Sequence, residues 1–83
     1  MNYQLTHHAQ KVLAERGIAV EWMERTLEAP EWITPDSNDP QVMRYFRTIP
    51  EFGGRVLRVA VNIAVEPYRV VSVFFDRTQK GKP

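Results

Sequence analysis

Cysteine is absent from this chain, which excludes both a disulfide framework and a thiolate zinc site. Long apolar runs are absent too. Stretches such as Val70–Val71 and Val73–Phe74–Phe75 are far too short to cross a bilayer, so no membrane partner is expected. The opening Met1-Asn2-Tyr3-Gln4 lacks the basic and apolar regions of a signal peptide, and the expected location is cytoplasmic. Glycine is limited to four residues, and Gly17, Gly53 and Gly54 fall where the apolar periodicity breaks. What remains is an ordinary globular composition, 43% hydrophobic over 83 residues. That length lies just above the size at which small domains need staples, and it makes one domain over 1–83.

The net charge of +1 conceals an uneven distribution. Residues 1–40 hold three basic and seven acidic side chains, a balance of −4; residues 41–83 hold eight and three, a balance of +5. Either the basic half meets a polyanion or the two halves attract one another in the fold.

The first 30 residues carry helical signals and residues 41–76 carry strand signals. Tyr3-Gln4-Leu5 suits a short edge strand. Thr6 is a good helix N-cap, because its hydroxyl can accept from an orphaned backbone N–H. Ala9, Val12 and Leu13 follow at helical spacing, and Gly17 ends that helix. A second helix is predicted over Val20 to Glu28, with Val20, Met23 and Leu27 inward and Pro30 beyond its end. Together these make an αα-hairpin. Thr34 to Pro40 reads as a loop.

Beyond the loop the period becomes two. Strands are predicted over Val42 to Ile49, Arg55 to Ile63 and Tyr68 to Asp76, joined by turns at Pro50–Gly54 and Glu66–Pro67. The fold class is therefore α+β, an N-terminal helical pair on a C-terminal antiparallel meander of three strands. Residues 77–83 form a polar, basic tail expected to fray. Leu57, Val59, Val61 and Ile63 should share the core face with Val12, Leu13, Met23 and Leu27. On the last strand Val71, Val73 and Phe75 should join them. Tyr68, Val70 and Phe74 would then form an apolar face for a partner or a second copy.

Leu5-Thr6-His7-His8-Ala9, Arg16-Gly17-Ile18 and Pro30 resemble the domain-of-unknown-function 4258 family, whose opening pairs His-Ala with a later Arg-Gly-Ile. Arg44-Tyr45-Phe46-Arg47, Arg55-Val56-Leu57-Arg58-Val59 and Arg69-Val70-Val71-Ser72-Val73 are similar to strands of BrnT-type and, more remotely, RelE-type toxins. That resemblance implies a compact fold of helices on an antiparallel sheet, an RNA or ribosome target and an antitoxin-like partner. Val12 and Phe74 stand where such sequences commonly carry arginine. Both departures remove a cation, so binding is expected more than cleavage.

Cleavage by 2′-hydroxyl attack needs a proton carrier and cations around the phosphate. His8, Arg58 and Arg69 are the candidate catalytic residues, with Tyr45 as an alternative proton carrier. Arg44, Arg47, Arg58, Arg69 and Arg77 are the candidate RNA contacts. Against these stand plain structural roles, solvated arginines on a sheet and a histidine packed at a helix end. His7 and His8 face different directions on a helix and cannot chelate, and neither a metal nor a cofactor is expected. Trp22 and Trp32 are candidate partner anchors or boundary packing. Two readings result. One is a toxin-like RNA- or ribosome-binding domain, a weak or inactive ribonuclease. The other is a non-enzymatic interaction module that dimerises or binds an antitoxin-like protein.

Overall fold

The architecture comes from a computed structural model and is described for residues 1–79. Two helices rest on one face of a five-stranded mixed sheet of order β1-β5-β4-β3-β2. The elements are β1 (Tyr3–Leu5), α1 (His7–Arg16), α2 (Val20–Glu28), β2 (Trp32–Pro35), β3 (Val42–Ile49), β4 (Arg55–Asn62) and β5 (Tyr68–Phe75). Among the described residues, no helix is long and apolar enough to cross a membrane.

Local chemistry sets the helix ends. Thr6 Oγ1 accepts from the Ala9 N–H at 3.1 Å, and Gly17 closes α1 at φ 62°, where a Cβ would be strained. The Ile18 N–H then donates to the Leu13 carbonyl at 3.0 Å, and Ile18 turns into the core. α2 starts at Ala19 without a side-chain cap, and Glu21 in its first turn suits the positive end of the helix dipole. Its inward stripe is Met23 and Leu27, as expected, but Val20 stands 47% exposed. The expected αα-hairpin spreads over the sheet: α1 covers β5 and β1, and α2 covers β4 and β3.

The sheet exceeds the expected three strands by two. β1 confirms the short edge strand and pairs in parallel with β5, Tyr3 against Tyr68 and Leu5 against Val70. β2 lies antiparallel to β3 and takes in Thr34 and Pro35 of the expected loop together with Trp32 and Ile33 before it. Four residues are too few for a period of two to stand out, and Pro35 closes the strand like a turn residue. β3 and β4 are paired without interruption from Val42–Asn62 to Ile49–Arg55. Between them a 3₁₀ turn, Pro50–Phe52, leads into Gly53 and Gly54, both at positive φ (67° and 72°).

The core lies between sheet and helices. Leu57, Val59 and Val61 of β4 fill it beside Tyr45 and Ile49 of β3, while Ile63 falls beyond the strand and is exposed. The expected face of β5 needs a larger correction. Val59 pairs with Val73 and Ala60 with Ser72, but Val61 pairs with Val70. Val71 is thus an extra residue, a β-bulge that shifts the side-chain alternation by one. Val70 is fully buried in the core, and Tyr68 packs against it with Phe75. Only Phe74 of the three proposed interface residues lies on the far side.

The bulge predicts unequal costs for two neighbouring valines. Val70→Ala should lose about 1–3 kcal/mol by leaving a cavity, and Val71→Ala less than about 1 kcal/mol. A urea titration with the order reversed would remove the bulge.

Candidate functional site

On the face away from the helices, register sets one row across four strands: Trp32, Phe46, Arg58 and Phe74. Trp32 stacks on Phe46, centroids 5.0 Å apart and planes 8° from parallel. The Arg58 guanidinium lies 4.5 Å from the centre of the Phe74 ring, a cation–π contact. Phe46, Val56 and Ala60 are buried on this side, so the face carries a thin apolar layer of its own.

Arginines expected to hold RNA meet four different fates. Arg44 Nε donates to Asp36 at 3.0 Å, and its Nη2 to Ser37 at 3.3 Å. Arg58 donates to the buried Asp76 at 3.2 Å. Arg47 lies on the opposite, helix side, where Nη1 donates to the Ala29 carbonyl at 2.6 Å. It serves the C-terminus of α2, whose negative dipole end attracts a cation, and so leaves the row of candidates. Arg69 and Arg77 are exposed, with no ion-pair partner among the described residues. Arg69 sits across from Asn62 on the open face, and Arg77 in the turn after β5.

His8, Arg58 and Arg69 do not come together. His8 is exposed on the first turn of α1, on the helix side, whereas Arg58 and Arg69 rise from the opposite face. A proton carrier and two cations separated by a β-sheet cannot act on one phosphate. Tyr45 is no substitute, for it is buried in the core and desolvation pushes its hydroxyl pKa upward. No group of three potential metal ligands occurs among the described residues.

A second constellation escaped the sequence. Trp22, Phe52 and Phe75, from α2, the 3₁₀ turn and β5, form one aromatic cluster. Centroids lie 5.7 Å apart for Trp22–Phe52, 6.1 Å for Trp22–Phe75 and 4.6 Å for Phe52–Phe75. Arg55 lies 5.1 Å above the Phe52 ring. A cleft of about 770 Å³ opens beside this cluster, lined by Gly53, Gly54, Arg55, Phe75, Asp76, Arg77 and Gln79. That volume is within the roughly 300–1,000 Å³ typical of ligand sites. A smaller recess of about 270 Å³ shares Arg55, Phe75 and Arg77 with it and adds Arg16, Trp22 and Phe52. Arg16, Arg55 and Arg77 have no ion-pair partner among the described residues. Nearby Arg25 is already bound twice to Glu51, at 2.9 and 2.8 Å, and that contact holds the Glu51 carboxyl down at about 2.

Asp76 is the acid in the cleft lining, and its charge is committed. One oxygen accepts from the Thr78 N–H and hydroxyl, the other from Arg58. Burial pushes its pKa up, but those hydrogen bonds together outweigh it and hold the carboxyl below the ordinary 3.8. The bonds to Thr78, with the Gln79 N–H donating to the Asp76 carbonyl at 3.2 Å, hold Arg77 and Thr78 in a turn at the start of the tail expected to fray; residues 80–83 lie outside the described residues. Asp76 was missed because one acid at a strand end resembles any other. Its signal was the Asp-x-Thr spacing, which permits a side chain to bond the backbone two residues on.

The family model described as a domain of unknown function, DUF4258, matches residues 5–75. No curated protein and no solved structure matches the chain.

The lowered pKa of Asp76 has a definite sign. Its contribution to stability is present above the ordinary value near 3.8 and is lost as pH falls through the lower folded value. Asp76→Asn should therefore destabilise clearly at pH 7, with the gap to the parent chain narrowing below about pH 4. Urea midpoints compared at pH 7 and pH 3 test this. A gap of constant size would mean that the carboxylate charge is not what holds the turn.

Proposed function

We propose that this chain, which belongs to the DUF4258 family, is an RNA-binding domain that holds the phosphate backbone without cutting it. The carrying observation is the convergence of Arg16, Arg55 and Arg77 on a recess with no acid of its own left unpaired. Charges of one sign around a concave, partly apolar surface focus the field and attract a polyanion. The choice of RNA as that polyanion follows the expectation drawn from the strand sequences, whose likeness to BrnT- and RelE-type toxins is itself part of this proposal. The separation of His8 from Arg58 and Arg69 across the sheet argues against cleavage.

Self-association or an antitoxin-like partner, the other reading, leaned on a shared apolar face of Tyr68, Val70 and Phe74. With Val70 in the core, that face does not form, and the motive for this reading goes with it.

Three phosphate contacts to a single strand imply a slope of log K against log salt of roughly −2. Arg55→Ala and Arg77→Ala should each reduce that slope by nearly one contact. Arg44→Ala should leave it almost unchanged, since Arg44 already serves Asp36. Filter binding over a salt series, with RNA integrity checked on gels, provides the measurement. Absence of salt-dependent affinity for any RNA would sink the reading; cut RNA would overturn its non-cleaving half.

A further inference from the structure

The cleft combines two features that a simple phosphate-binding surface does not need. One is a set of three mutually packed rings, one of them open to solvent: Phe52 is 41% exposed at the tip of the β3–β4 turn. The other is open space at that turn. A Cβ built on Gly53 or Gly54 would meet nothing within 4 Å, so neither crowds the approach. Arg55 lies over the Phe52 ring and Phe75 stacks on it, so a base reaches Phe52 as the Arg55 guanidinium moves from the ring to a phosphate.

We infer that this cleft, together with the smaller recess that shares Arg55, Phe75 and Arg77 with it, takes an unpaired nucleobase of single-stranded RNA, stacked against the Phe52–Phe75–Trp22 cluster, with the adjoining phosphates on Arg16, Arg55 and Arg77. The inference rests on the RNA reading above and narrows it to strands whose bases are free. A base within a duplex has both faces occupied by its neighbours and cannot stack on protein, while an unpaired base offers its π-face whatever its identity. The lining carries little that could read a base edge. Asp76 is engaged by Arg58 and Thr78, and Gln79 remains as the neutral polar side chain in the lining. Recognition is therefore tolerant of sequence and selective for strandedness.

The two tryptophans make this testable, because Trp22 belongs to the cluster and Trp32 stacks on Phe46 on the opposite face of the sheet. In a Trp32→Phe chain, the fluorescence of Trp22 should change on addition of a short single-stranded oligoribonucleotide. The same oligonucleotide annealed into a duplex should bind at least about tenfold more weakly and leave Trp22 unchanged. Phe52→Ala should weaken single-strand binding roughly tenfold at unchanged charge, and Phe52→Tyr should restore it. Equal affinity for both forms with a silent Trp22 would overturn stacking yet preserve the RNA reading. No binding of either form would sink both. If adenosine monophosphate bound as tightly as the strand, the occupant would be a free nucleotide, and the strand assignment would fall. Anisotropy of labelled RNA on the unmodified chain measures affinity independently of the tryptophan replacement.

Discussion

Val71 has no partner of its own in β4, and the sheet is organised around that extra residue. Below the bulge, Tyr68 and Val70 face the helices; above it, Val73 and Phe75 do the same. Without it, alternation would place Val70 and Val73 on opposite sides, and α1 would meet half its apolar support. The bulge also aligns β1, whose Tyr3 and Leu5 sit opposite Tyr68 and Val70 and reach the same core. Tyr3 then donates from its hydroxyl to Glu24 of α2 at 3.0 Å, and burial with that contact pushes its pKa up to about 12. One register shift thus connects the edge strand, both helices and the final strand.

Charge is divided between structure and surface. Arg44 with Asp36 joins the basic half to the acidic half, as does Arg47 through the backbone carbonyl of Ala29, whereas Arg25 with Glu51 ties the halves with the minority charge of each. Attraction between halves is therefore real, and it consumes a share of the excess. What survives is divided: Arg69 stays on the open face of the sheet, while Arg55 and Arg77 meet Arg16 at the end carrying the glycine turn. Arg58 illustrates the difference. Its sequence position on an alternating strand is that of a surface cation, yet Asp76 and Phe74 hold it from two directions.

The helix boundaries were legible because their causes are local. Thr6, Gly17 and Pro30 act within a few residues of themselves, and the structure places each where its chemistry predicts. The core face of β4 was legible for the same reason, a long period-two run. The bulge was not, because a sequence of valines offers no mark of which one is unpaired. Nor was β2, too short to show a period. The candidate site failed more completely: Arg16, Trp22, Phe52, Arg55, Phe75 and Arg77 come from α1, α2, the 3₁₀ turn, β4, β5 and the turn after it, and no local period relates them. Arg77 stood out on charge and Trp22 as a candidate anchor, but nothing in the sequence joined the two.

A sheet that does not close has two edges, and each offers unpaired backbone groups to any other strand. Here both are meagre. β1 contributes three residues before Thr6 turns the chain into α1, and β2 contributes four, ending in a proline that has no N–H to offer. A neighbouring molecule seeking to extend the ladder finds too few donors in line to hold it. Of the long strands, β4 alone is paired on both sides along most of its length; β1 covers only Tyr68–Val70 of β5, and β2 only Met43–Phe46 of β3. The apolar run of β4, flanked by strands on both sides, is thereby the segment best protected from amyloid-like stacking.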